Sequence, residues 1–229
     1  VYKRQPAESA NNLNSPASGA MPRTTDLPEG FVYIDDIIPG IRLDLRYCTT
    51  RNFVGIPIDG YVRPRGILTY AAAEALAGVQ ALLKTAGLEL NIFDAYRPQQ
   101  AVEHFKRWID DASDTGTKAE YYPQTDKPDL LRDGYIASRS SHTRGSTVDL
   151  TIVSGTPDST ALDMGSSFDY FGPESWVDYA GITGQQQANR LLLRRLMIQH
   201  GFVPFSMEWW HFTLENEPFP DPWFDFPVQ

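Results

Sequence analysis

Two short stretches carry the residue types that metal-assisted hydrolysis requires. The first is His142-x-x-Gly145-x-x-x-Asp149, which begins in the polar loop "SRSSHTRG" and ends in an apolar run. A carboxylate in such a run is costly to bury unless it meets a cation or a metal. The second is Glu208-Trp209-Trp210-His211, a carboxylate and an imidazole inside an aromatic segment. Taken singly, each has an ordinary alternative: a loop histidine beside a satisfied aspartate, and a core histidine near an exposed glutamate. Taken together, His142, Asp149 and His211 supply three ligands with an open fourth position, the donor set of a catalytic zinc site. Glu208 is then a spare carboxylate near the metal, suited to act as general base on water. Arg97, at the strand–helix junction "DAYRP", is a fixed cation that could stabilise an oxyanion; without the metal set, pairing with an acid would be the preferred reading. His104 and His200 fall on helices, and we take both as structural or surface residues.

The elements that must position these groups read as follows. Ile41–Tyr47 ("IRLDLRY") alternates apolar and polar residues and is expected as a strand. Residues 49–66 are rich in Gly and Pro and read as a long loop. A helix follows, with Thr69 as N-cap, Ala72, Leu76, Val79 and Leu83 as its apolar stripe, and Gly87 as its stop. Leu88–Phe93 reads as a strand. Pro98 opens a second helix, running to about Asp111 with Val102, Phe105 and Ile109 inward. Residues 112–134 are expected to form a polar loop. "STVDLTIV" is a strand with Val148, Leu150 and Ile152 on one face and Asp149 and Thr151 on the other. A third helix, "QQQANRLLLRRLMIQHG", ends at Gly201, and "FVPFSMEWWHFTL" is a strand pair or one bent strand. In a straight strand Glu208 and His211 would point to opposite faces, so both serve one site only if the chain bends or bulges there, or if Glu208 acts from the far side of a water. The aromatic, Pro-rich C-terminal stretch is expected to pack against the body. Strands and helices mix without strict alternation. The fold class expected is α+β: one domain with a mixed or antiparallel central sheet and flanking helices.

Composition narrows the function classes. The 229 residues carry 20 Lys+Arg against 29 Asp+Glu, a net charge of −9, which argues against nucleic acid or an anionic membrane surface as partner. No apolar run is long enough to span a bilayer. The single cysteine, Cys48, excludes an intrachain disulfide and a Cys-rich zinc site. Residues 1–28 are rich in Asn, Ser, Ala and Pro and are expected to be a disordered tail, with the domain at 29–229. Such a tail fits export to a bacterial periplasm, and a plain polar terminus on a cytoplasmic protein accounts for it too. Oligomeric state is not legible.

The chain resembles the VanX-type D-alanyl-D-alanine dipeptidases, within the zinc D,D-peptidases of hedgehog-like fold. The resemblance rests on "DLRYCTTRNFVG", "DGY", "DAYRP", "GYIASRSSHTRGSTVDLT", "MGSSFDYF", "QANRLLLRRLM", "EWWHF" and "FDFPV", in this order from about Ile41 to the C-terminus. It implies one Zn2+ per chain on His142, Asp149 and His211, Glu208 as base and Arg97 as oxyanion stabiliser. It further implies substrate contacts from Tyr47, Ser140 and Asp169, with Asp169 apt for a free ammonium. The implied reaction is hydrolysis of D-Ala-D-Ala to two D-alanines. A zinc D,D- or L,D-carboxypeptidase acting on peptidoglycan stems and a non-catalytic zinc-stabilised binding domain are the alternatives.

Overall fold

The structure is a computed structural model, and it describes residues 27–229. The expected tail therefore lies almost wholly outside the described residues. Its elements in chain order are β1 (Phe31–Tyr33), α1 (Ile34–Ile37), β2 (Arg42–Leu43), β3 (Ile67–Thr69), α2 (Tyr70–Thr85), β4 (Leu88–Asp94), α3 (Gln99–Asp110), α4 (Lys118–Tyr121), α5 (Lys127–Arg132), β5 (Thr147–Ser154), α6 (Gly184–Gln199), β6 (Phe202–Pro204) and β7 (His211–Leu214). Five strands form one sheet in the order β2-β4-β5-β7-β6. Only β2 runs parallel to its neighbour; the other pairings are antiparallel. β1 and β3 form a separate antiparallel pair. The mixed sheet with flanking helices is the α+β architecture expected.

Local chemistry sets the long elements. The Thr69 hydroxyl accepts from the Ala72 amide and starts α2, a cap that contributes about 1 kcal/mol. Ala72, Leu76, Val79 and Leu83 are all buried along its inner face, and α2 packs on β4. β5 is buried on both faces for seven of its eight residues. Val148, Leu150 and Ile152 enter the core on one side, and Asp149 and Thr151 are enclosed on the other. The C-terminal segment is strapped to the body. Phe226 stacks on Tyr96 with centroids 4.1 Å apart, and the Phe224 carbonyl accepts from the Gln99 amide at the start of α3.

Two expectations need correction. Ile41–Tyr47 is not a full strand: only Arg42 and Leu43 pair, and the chain turns into a short 3-10 helix at Arg46–Cys48. The turn drives Tyr47 into an aromatic cluster with Phe53, Tyr61, Phe105 and Phe168. Burying a ring of this size contributes about 1.5–3 kcal/mol. Residues 112–134 are not a plain loop, since they contain α4 and α5. Tyr121, Tyr122 and Leu130 anchor them, and buried Lys127 donates to the Trp108 and Asp111 carbonyls at the end of α3. Helices of four and six residues are too short to show a period.

Candidate active site

β5 lies between β4 and β7, and one row across the three strands builds the centre of the site. Asp149 of β5 stands opposite His211 of β7 on one side and Asp94 of β4 on the other. Directly opposed residues point to the same face of a sheet. Up to Ile92 the β4 register is regular; a bulge between Ile92 and Asp94 then brings Asp94, rather than Phe93, opposite Asp149. His142 comes from outside the sheet, on a 3-10 turn over Ser141–Arg144 that ends at Gly145 with φ +81°. A Cβ at Gly145 would lie 2.2 Å from the Phe31 ring, so only glycine closes this turn and carries the chain into β5. At the other end of the site the β6–β7 connection turns at Ser206–Trp210, and the His211 amide lies 3.4 Å from the Glu208 carbonyl. That turn is the bend that brings Glu208 and His211 to one side.

His142, Asp149 and His211 offer ligand atoms that all lie within 4.8 Å of one another. His142 Nε2 is 3.2 Å from Asp149 Oδ2 and 3.3 Å from His211 Nδ1, and His211 Nδ1 is 3.0 Å from Asp149 Oδ1. His142 Nδ1 donates to the Ala95 carbonyl at 2.7 Å, which leaves Nε2 with its lone pair toward the cluster. His211 Nε2 lies 3.3 Å from Ser141 Oγ, so its Nδ1 is free to face the same point. Asp149 Oδ1 is buried without a well-directed donor among the described residues. Two imidazole nitrogens and a carboxylate that converge in this way fit a divalent metal of the zinc type. Protonation agrees. Burial lowers the His142 pKa and keeps it neutral. Burial works to raise Asp149, but the two imidazoles outweigh it and hold the carboxyl well below its usual range. Neutral imidazole and ionised carboxylate are the ligating forms.

Glu208 stands beside this set, its Oε2 3.5 Å from His211 Nδ1. Burial pushes its pKa up to about 7, opposed by His211 and reinforced by Asp149. A carboxyl raised on folding stabilises the fold fully only below its unfolded value, and that contribution is lost as pH rises through the folded one. The metal-free protein is therefore expected to lose stability between about pH 4.5 and pH 7, on the order of 3 kcal/mol from this group and the His211 it faces. Glu208→Gln should flatten that decline in chelator-treated protein, and urea unfolding of both forms across this pH range checks it. An unchanged slope in the variant would contradict the assignment.

Arg97 follows the end of β4. Its Nε donates to Asp94 Oδ2 at 2.9 Å, and its guanidinium lies over the Tyr47 and Phe105 rings at 5.0 and 5.3 Å. Nη2 reaches within 3.6 Å of Asp149 Oδ2, and Nη1 donates to Ser140 Oγ at 3.4 Å. Asp169 is buried with φ +61°, a conformation L-residues seldom hold without constraint. The Tyr47 hydroxyl donates to its two oxygens at 3.2 and 3.0 Å. Burial, with the Asp149 charge second, pushes the Asp169 pKa well above the carboxylate range, so this group gains from an incoming cation.

All eight residues singled out from the sequence line one cavity of about 230 Å³. The cavity is smaller than the roughly 300–1,000 Å³ of sites for drug-sized ligands, so it suits a compact molecule. One residue behind the cavity wall was not foreseen. Asp94 is 1% exposed and receives Arg97 on one oxygen and the Tyr61 hydroxyl, at 2.6 Å, on the other. Its signal was a carboxylate ending an apolar strand within "DAYRP". His104 and His200 stay outside, bonded to the Asp59 amide and the Leu196 carbonyl.

The family model described as D-ala-D-ala dipeptidase matches residues 28–229. The chain belongs to this family. It is 41% identical over 200 residues to a D-alanyl-D-alanine dipeptidase of Enterococcus faecium, covering 87% of this chain and 98% of that protein. It is 41% identical over 198 residues to a D-alanyl-D-alanine dipeptidase of Streptomyces coelicolor, covering 86% and 98%. Among solved structures, the LdcB LD-carboxypeptidase covers 83% of this chain and 70% of its own, with a TM-score of 0.43 and 15% identity, too distant a likeness to bear on function. As a member of the dipeptidase family the chain is an enzyme, a peptidase, and among its described residues no helix is long and apolar enough to cross a membrane.

Proposed function

We propose that the protein is a zinc-dependent dipeptidase that hydrolyses free D-Ala-D-Ala to two D-alanines. The observation that carries this reading is a single small cavity in which a metal-ligand set with a carboxylate beside it faces a second buried carboxylate, Asp169, held by Tyr47. The names of the dipeptidase relatives agree with it. Zn2+ held by His142, Asp149 and His211 would polarise the scissile carbonyl and bring the pKa of a water to about 7. Asp169 receives the substrate ammonium, with Tyr47 fixing the carboxylate. Ser140 hydrogen-bonds the opposite end of the dipeptide. Glu208 takes the proton of the attacking water and passes it to the leaving amine. Arg97, held in place by Asp94, stabilises the negative charge that develops on the carbonyl oxygen.

Selectivity follows from Asp169. An N-blocked dipeptide leaves that buried carboxylate without its cation, and a longer peptide exceeds the cavity. The free dipeptide is thus expected to be cleaved at least about 10³-fold more efficiently than N-acetyl-D-Ala-D-Ala or a stem pentapeptide. Measuring kcat/KM for D-alanine release from the three substrates tests this. Cleavage of the pentapeptide as fast as the dipeptide would place the protein with the carboxypeptidases. No cleavage in zinc-loaded protein would favour the binding-domain alternative.

A further inference from the structure

Asp169 sits midway along the segment Met164–Trp176, which is carried by one face of α6. Gln186, Asn189 and Arg190 lie three and four residues apart on that face. Gln186 Nε2 donates to Asp163 Oδ2 and Asn189 Nδ2 to the Asp163 carbonyl, at 2.9 and 2.8 Å. Arg190 is 4% exposed, and its partners are main-chain oxygens and one hydroxyl. It donates to the Met164 carbonyl at the start of the segment and to the Glu174 and Trp176 carbonyls at its end, at 2.7 and 2.8 Å for the last two. Ser166 Oγ lies 3.5 Å from Nη2. One guanidinium therefore closes the segment into a loop. A buried cation without a facing carboxylate is costly, and a fork of directed bonds is what Arg offers in return.

The same cluster reaches both working carboxylates. Ser166 Oγ accepts from Trp209 Nε1 at 2.9 Å, and Trp209 adjoins Glu208. Ser175 Oγ lies 3.0 Å from Ser166 Oγ and donates to the carbonyl of Tyr170, which adjoins Asp169, at 2.6 Å. The Trp209 amide donates to the Ser175 carbonyl at 3.0 Å.

We propose that Arg190 is a positioning residue for the dipeptidase reaction: by closing Met164–Trp176 it holds Asp169 in its left-handed conformation and fixes its place relative to Glu208. The inference rests on the reading of Asp169 as the ammonium partner. Arg190→Lys keeps the charge and loses the fork. It is expected to raise KM for D-Ala-D-Ala about tenfold and to narrow the preference over the N-acetylated dipeptide by a similar factor, with kcat within about threefold and zinc content unchanged. A role in folding alone would lower the active fraction, so kcat would fall at constant KM, and that result overturns the proposal. Ser166→Ala, a smaller change, is expected to raise KM about threefold and decides the matter should Arg190→Lys not fold; an unchanged KM there overturns it. Wild-type protein is assayed beside them. Failure of wild type to cleave the dipeptide rejects the functional reading itself, whereas an active wild type with unmoved variants rejects only the role of Arg190.

Discussion

Glu208→Ala is expected to lower kcat about 10²–10⁴-fold while the protein keeps its full complement of zinc. The two halves of this result have separate causes. Zinc should be retained because the proposed ligand atoms come from His142, Asp149 and His211, and Glu208 stands outside that set. Activity should be lost because, on the proposed reading, Glu208 is the carboxylate left free to move a proton, at 3.5 Å from His211 Nδ1. A carboxylate beside the attacking water can accept its proton and give it up to the leaving amine. KM should change little, since on the proposed reading Asp169 and Ser140 bind the ends of the substrate. Zinc analysis and steady-state kinetics on one preparation separate the outcomes. A variant with near wild-type kcat would remove Glu208 from the mechanism, and a variant that had lost its zinc would make it a ligand.

Asp149→Ala is expected to abolish activity by a different route, through loss of the metal. Asp149 is the only anionic member of the proposed ligand set, and it lies 3.2 Å from His142 Nε2 and 3.0 Å from His211 Nδ1. Without it two neutral imidazoles remain, and affinity should fall well beyond the 10–100-fold typical of losing an outer-shell partner. The Arg97 guanidinium, 3.6 Å from Asp149 Oδ2, would also face the vacated position with its charge less balanced and disfavour a cation further. Full zinc occupancy in this variant would reject the ligand assignment.

The candidate site residues were legible because their types are costly in their surroundings. Asp149 interrupts an apolar strand, and Glu208 and His211 interrupt an aromatic one. The long helices were legible too: Thr69 caps α2 as its type suggests, and the Val102, Phe105 and Ile109 stripe of α3 is buried. What escaped depends on partners distant in the chain. The bulge after Ile92 is a property of how β4 pairs with β5, so it left no local mark and the place of Asp94 opposite Asp149 went unseen. Tyr47 leaves an alternating pattern because Phe53, Phe105 and Phe168 gather around it. The meeting of Glu208 and His211 needed a turn that the alternatives of a bent strand or a strand pair left open; the pair β6–β7 supplies it.

The most direct measurement places zinc content and D-alanine release from free D-Ala-D-Ala on the same axes, for wild-type protein stripped by a chelator and reloaded stepwise, with Asp149→Ala carried alongside. Activity that vanishes on stripping, returns in proportion to zinc up to one ion per chain and never appears in Asp149→Ala is the result predicted. Undiminished release of D-alanine from fully stripped wild-type protein would contradict the account.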